Sequence, residues 1–224
     1  MASSPFPARF PIFPLKNVVL FPDTVLPLRM FEPRYRAMTS DALRGNRVIG
    51  MTLLRSGDSA PEAGPAHVFE LGCAGVITSQ RPQSDGTHWI LLEGKRRFRL
   101  LRQEPTERGY IRASVELLEE ETFDELGETT RAELSDARPE LEEKLLEYAR
   151  LGVRRRVEQL RERMSELDPV ALVNSIAFGI DCSLVEKQSL LEAADPLERA
   201  RLLLQLLDFQ VAAARLPQPH DTIN

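Results

Sequence analysis

Phe13-Pro-Leu-Lys-Asn-Val-Val-Leu-Phe-Pro22, followed after a short gap by Leu26-Pro-Leu-Arg-Met-Phe-Glu-Pro-Arg-Tyr35, is the stretch on which the fold turns. Its valines and phenylalanines favour extended chain, so Ile12 to Phe21 and Val25 to Met30 read as strands. Pro14, Pro22 and Pro27 interrupt them. A proline has no N–H to give a ladder, so such strands belong at edges, bulges or barrel corners. At Phe31-Glu32-Pro33 the pattern changes. Proline suits a first helical turn, and Tyr35, Met38, Ala42 and Leu43 then recur at a spacing that buries one helix face.

Working outward, Arg47 to Leu54 returns as a strand, and the Gly-, Pro- and Ser-rich stretch Ser56 to Pro65 is a flexible loop. A strand over Val68 to Ser79 should bend at Gly72 and Gly75. Asp85-Gly86 is a two-residue hairpin pair, expected with both positions at positive φ, and leads into Trp89 to Glu93. Lys95 to Leu101 and Tyr110 to Leu118 complete six or seven strands. With one helix among them, a doubly wound parallel sheet is disfavoured and a compact antiparallel or mixed pseudo-barrel is expected.

The chain changes character near Glu119, where Leu/Glu/Arg stretches of helical period take over. Glu140 to Leu167 reads as one long amphipathic helix carrying Leu141, Leu145, Tyr148, Val153, Val157, Leu160 and Met164. Asp168-Pro169, the capping box Ser183-Leu-Val-Glu186 and Asp195-Pro-Leu-Glu198 announce helices over Val170 to Ile180, Leu184 to Ala193 and Pro196 to Arg215. The fold class is α+β: a β-rich unit over 1–119, an all-α helical bundle over 120–217 and a frayed tail over 218–224. The last helix carries Leu202, Leu203, Leu204, Leu206 and Leu207, too many for one stripe. Either neighbouring helices enclose it or part of it is a surface for self-association or a structural adaptor.

The 224 residues are 42% hydrophobic and 28% charged, with a formal net charge of −5. That balance gives no global pull toward phosphate backbones or anionic membranes. No apolar run is long enough to span a bilayer, and the first residues lack the basic-then-apolar pattern of a secretory signal. A reduced, cytoplasmic setting is expected. Cys73 and Cys182 lie far apart with no histidine at ligand spacing, so they read as small core residues, and neither a metal site nor a cofactor is expected.

Motifs of catalysis are missing. Gly94-Lys95 lacks the second glycine and the following Ser or Thr of a phosphate-binding loop. There is no nucleophile elbow and no zinc-protease helix motif, so no catalytic residue is assigned and the chain is not expected to be an enzyme. One basic run, Lys95-Arg-Arg-Phe-Arg99, would place Lys95, Arg97 and Arg99 on one strand face beside Trp89 and Phe98, a possible RNA contact. Its alternative is a solvated face balanced by nearby glutamates. The phenylalanine-rich opening should be mostly core, with any exposed remainder offering a groove or strand edge to extended peptide.

Taken in order, the Phe13–Pro22 and Leu26–Tyr35 stretches, Gly94-Lys-Arg-Arg-Phe-Arg99, and the helical segments from Asp168 to Glu192 and from Asp195 to Arg199 resemble the substrate-binding amino-terminal domain of the Lon protease. The resemblance spans about residues 10 to 211. It implies a PUA-like β-domain joined to a helical bundle, used in Lon to recognise protein substrates. Lon proteases also carry an ATPase module and a Ser/Lys peptidase module. Nothing in these residues matches the Walker motifs or the peptidase dyad, so proteolysis is not carried over. The expectation is a stand-alone, non-catalytic module that binds unfolded or extended polypeptide, with Phe21, Met30, Phe31, Tyr35 and Trp89 as contacts. Glu32 and Arg34 are expected to cap or clamp the helix. PUA-like folds also occur in RNA-binding proteins, which keeps the basic strand as the alternative.

Overall fold

The computed structural model describes residues 6–55, 57, 64–150 and 164–215. The chain runs through β1 (Arg9–Leu15), β2 (Val25–Met30), α1 (Pro33–Arg44), β3 (Val48–Leu53), β4 (Leu71–Pro82), β5 (His88–Pro105) and β6 (Ile111–Leu117). The helices α2 (Glu128–Arg150), α3 (Pro169–Gly179), α4 (Leu184–Glu192) and α5 (Pro196–Arg215) follow. Two compact units result. One comprises Met1–Glu120 and Cys182–Glu192, the other Glu121–Asp181 and Ala193–Asn224.

In the first unit β1 pairs with β3 in parallel, as a connection through β2 and α1 permits. The other pairings, β1–β6, β2–β5, β3–β4, β4–β5 and β5–β6, are antiparallel. The sequence β5–β4–β3–β1–β6 returns to β5, so five strands close a ring of pairings and β2 is added outside it. Phe10, Ile12, Val48, Phe98, Ala113 and Val115 fill the interior. Phe10 meets Phe98 edge-on, with ring centroids 5.2 Å apart, the arrangement that ring quadrupoles favour.

The strands read separately over Trp89–Glu93 and Lys95–Leu101 are one, β5, which continues through Gly94. Gly94 is there for a close approach rather than a break: a Cβ would be driven against the Phe21 carbonyl. The loop is tied down by Asp23 N–H to the Gly94 carbonyl at 2.9 Å and Gly94 N–H to the Thr24 carbonyl at 2.8 Å. Pairing shifts register so that Lys95 and Leu101 on β5 and Thr78 on β4 are extra residues, each a bulge that bends its strand. The β4–β5 hairpin also departs from expectation. Only Gly86 has positive φ, at 76°. Gln83 N–H bonds to the Thr87 carbonyl at 2.8 Å and Gly86 N–H to the Gln83 carbonyl at 3.0 Å. The loop is thus a turn completed by a left-handed glycine, which spares Asp85 a positive φ.

Helix α1 begins as expected, with Glu32 at the N-cap and Pro33 in the first turn, and buries Tyr35, Met38, Thr39 and Ala42. Helix α4 does not fall with the other helices, as an undivided bundle over 120–217 would require. It packs on β4, burying Leu190 and Leu191. Gln188 Nε2 donates to the Leu71 carbonyl at 2.9 Å. Its capping box forms: Ser183 N–H reaches Glu186 Oε2 at 2.8 Å and Glu186 N–H reaches Ser183 Oγ at 3.2 Å.

In the second unit, α2, α3 and α5 pack against one another. Helix α2 starts well before Glu140 and runs through Pro139, forfeiting the hydrogen bond that residue would have donated. Leu134, Leu141, Leu145 and Tyr148 are buried along it. Val153, Val157 and Leu160 of the expected long helix lie outside the described residues, as do most of the Ser56–Pro65 loop and the tail. Asp168 caps α3, accepting from Val170 and Ala171 N–H at 2.8 and 2.9 Å. Ion pairs Arg201–Glu133 at 2.6 Å, Lys144–Asp208 at 2.5 Å and Arg215–Glu147 rise together along both helices, so α2 and α5 run in the same direction.

Candidate functional site

The five aromatic and sulfur-bearing residues expected to meet a polypeptide divide sharply. Phe21, Met30 and Tyr35 are buried and cannot touch a partner. Phe21 lies inside the loop that clamps Gly94, Met30 points inward on β2, and the Tyr35 ring packs on Phe13 with centroids 4.3 Å apart. Burial raises the Tyr35 phenol above its ordinary pKa, against the pull of Arg34. Arg34 in turn donates from Nε to Glu32 Oε2 at 2.9 Å, the clamp expected at the helix start. Phe31, 62% exposed, and Trp89, 45% exposed, remain available.

The basic strand is likewise divided. Arg97 is 4% exposed, with Nε on Glu120 Oε1 at 2.5 Å and Nη1 on the Leu191 carbonyl at 3.0 Å. Lys95 pairs with Glu93 at 2.7 Å and Arg99 faces Glu116 at 3.7 Å. No row of three accessible cations exists on this strand. The reason is tertiary: α4 and Glu120 cover the face on which Arg97 stands. On α5, Leu203 and Leu207 are buried while Leu202, Leu204 and Leu206 are half-buried. Phe209 is the large apolar residue of that helix left exposed, at 65%.

Trp89 belongs to a surface the sequence did not mark. β2 alternates Val25, Pro27 and Arg29 outward with Leu28 and Met30 inward, and β5 alternates Trp89 and Leu91 outward with Ile90 and Leu92 inward. Pairing aligns these residues in cross-strand rows: Arg29, Trp89 and Arg81 in one, Pro27, Leu91 and Ser79 in the next. Residues directly opposite in an antiparallel sheet share a face. The result is a groove of about 510 Å3 lined by Pro27, Ser79, Arg81, Gln83, Trp89 and Leu91, within the size range of ligand clefts. The bulge at Thr78 is what turns Ser79 and Arg81 onto this face.

β2 pairs with β5 alone, so it ends the sheet. Mid-strand Pro27 can stand there only with its nitrogen outward, which removes a donor from the open edge. Docking on the face is therefore favoured over addition of a strand. At the hairpin tip, Asp85 accepts from Thr87 N–H at 2.9 Å and Thr87 Oγ1 at 2.7 Å. These bonds, with Arg29 adding to them, hold its carboxyl below the usual range. Leu91 carries no local mark of its place here, because Trp89-Ile-Leu-Leu92 is apolar throughout and shows no period, while Pro27 reads in the sequence as an edge-strand proline alone. Among the described residues, no group of three or more His, Cys, Asp and Glu is placed to hold a metal ion. No helix among them is long and apolar enough to cross a membrane.

Residues 9–208 match the model of the ATP-dependent protease La (LON) substrate-binding domain. The chain is 30% identical over 193 residues to Lon protease 2 of Syntrophobacter fumaroxidans, covering 83% of this chain and 22% of that protein. It is 31% identical over 198 residues to Lon protease 1 of Bdellovibrio bacteriovorus, covering 88% and 24%. It thus spans about a quarter of the length of these relatives. The crystal structure of a Lon N-terminal domain protein from Xanthomonas campestris superposes with a TM-score of 0.59 at 27% identity, covering 90% of this chain and 98% of that one. The N-terminal domain of a Mycobacterium avium complex Lon protease shares the fold, with a TM-score of 0.62 at 18% identity over 89% of this chain and 98% of that one.

Proposed function

The chain belongs to the family of the Lon protease substrate-binding domain, and from that premise we propose that it is a PUA-like recognition module that binds unfolded or extended polypeptide without chemistry of its own. The observation that carries this reading is the open groove on the outer face of β2, β5 and β4. It presents Trp89, Leu91 and Pro27 to solvent, apolar groups that a folded monomer gains nothing by exposing together. An extended segment laid across them would bury alternate side chains against a surface that is already formed, so little ordering cost falls on the module.

Trp89 is the single tryptophan of the chain, so its emission reports occupancy of the groove directly. Titration with unfolded polypeptides lacking tryptophan should shift that emission and saturate. Trp89→Ala, read by calorimetry, should weaken binding by roughly tenfold, as for a central aromatic anchor. A folded protein that binds no unfolded polypeptide would overturn the reading.

A further inference from the structure

We infer that the groove selects extended polypeptide segments in which an acidic residue adjoins a short apolar stretch, the carboxylate being held by Arg29 and Arg81 on either side of Trp89. The inference rests on the polypeptide-binding reading above and adds to it the chemistry of the segment. In the cross-strand row Arg29–Trp89–Arg81 the two arginines stand opposite Trp89, the one aromatic residue lining the groove, on its two neighbouring strands. Arg81 makes no ion pair among the described residues. Arg29 leans on Asp85 at 3.2 Å, with both side chains about half exposed, a pair that water screens and a second carboxylate can share. Arg36 lies over Gly86 at the hairpin tip and adds a third guanidinium to that end. Three arginines thus gather toward the hairpin end of this face, on a chain whose net charge is −5.

The face is also polar along its length. Glu93 stands two residues beyond Leu91 on β5, paired to Lys95, while Trp89 marks the arginine end. The separation from Trp89 to Glu93 is about 13 Å at the rise of a β-strand. An occupant would set its carboxylate at the arginine row and lay about four residues over Leu91, Pro27 and Val25. A segment lying the other way round would bring its carboxylate to Glu93, and a basic segment would meet the arginines. Nucleic acid also carries anions, but the strip beyond the arginine row consists of Leu91, Pro27 and Val25, which offer no further stacking platform for successive bases.

The test follows Trp89 emission in the intact protein with two synthetic peptides free of aromatic residues, one carrying a Glu-Glu pair before alternating leucine and threonine, the other Gln-Gln in its place. The expected result is binding of the acidic peptide roughly fivefold tighter, the size set by two exposed ion pairs. The preference should shrink with added salt and vanish in the double variant R29Q/R81Q, whose exposed positions leave the fold intact by circular dichroism. Equal affinity for both peptides would overturn the inference while leaving the polypeptide reading standing. A preference that survives in R29Q/R81Q would equally overturn it by moving the selectivity elsewhere. If neither peptide nor any unfolded polypeptide binds, both readings fall. Tight binding of a single-stranded RNA oligomer that depends on Arg29 and Arg81, with none of the peptides, would replace the inference by a nucleic-acid role.

Discussion

At the scale of the residue, two arginines among the described residues are removed from solvent, Arg199 in the second unit and Arg97 in the first. Arg97 joins Glu120 to the end of α4 from within the first unit, and a buried guanidinium is tolerated only while its partners stay in place. Arg97→Ala keeps the backbone N–H of that position on Glu120 Oε1 at 3.2 Å but removes the guanidinium from both the carboxylate and the Leu191 carbonyl, and should cost about 3 kcal/mol in urea denaturation. Arg99→Ala, on the solvated side of the same strand, should change stability by at most about 0.5 kcal/mol. Tyr35 and Tyr110 carry a second expectation. Burial raises both phenols, and the bond from Tyr110 to Asp41 adds to it. A phenol whose folded pKa is raised ionises first in the unfolded chain, so stability is intact below the ordinary tyrosine range and declines as pH climbs above it. Denaturation midpoints measured across that range should fall on the alkaline side, and Tyr110→Phe should flatten the decline.

At the scale of the element, the helix starts and the long strand respond to different chemistry. Asp168 satisfies two N–H groups at the start of α3 that no carbonyl can reach. Asp168→Ala should cost about 1 kcal/mol, with Asp168→Asn retaining most of it. Gly94 matters through what it lacks. Its hydrogen is the only substituent compatible with the Phe21 carbonyl packed above it, so Gly94→Ala should destabilise by about 2 kcal/mol through displacement of the loop at Phe21–Thr24. Calorimetric unfolding of that variant checks the size, and amide exchange at Asp23 checks the location. The bulge at Thr78 has no comparable energetic signature. Its effect is directional, since it alone turns Ser79 and Arg81 onto the face that holds Trp89.

At the scale of the whole molecule, the chain leaves the first unit at Glu120 and returns to it for Cys182–Glu192. Helix α4 should therefore open together with β4 and β5 rather than with α3 and α5. Native-state hydrogen exchange on the intact chain reads this directly: amides of Leu190 and Leu191 should share the free energy of opening measured for Cys73 and Phe98. Agreement with the helices of the second unit instead would show that the contacts of Gln188 and Arg97 are too weak to couple α4 to the strands. The amino-acid sequence alone determined the local events, because they depend on groups a few positions apart: the caps at Asp168, Ser183 and Asp195, the start of α1 at Pro33, the strand over Val25–Met30, and the family to which the ordered motifs belong. Only the tertiary structure decided which side of each element met water. Phe21, Met30 and Tyr35 turned inward, Arg97 was covered by a helix almost a hundred positions away in the chain, and Leu91, Pro27 and Arg81 were gathered around Trp89 by strand register and one bulge. Burial and register are set by contacts distant in sequence, and a stretch such as Trp89-Ile-Leu-Leu92 carries no local mark of which alternate residues those contacts will leave exposed.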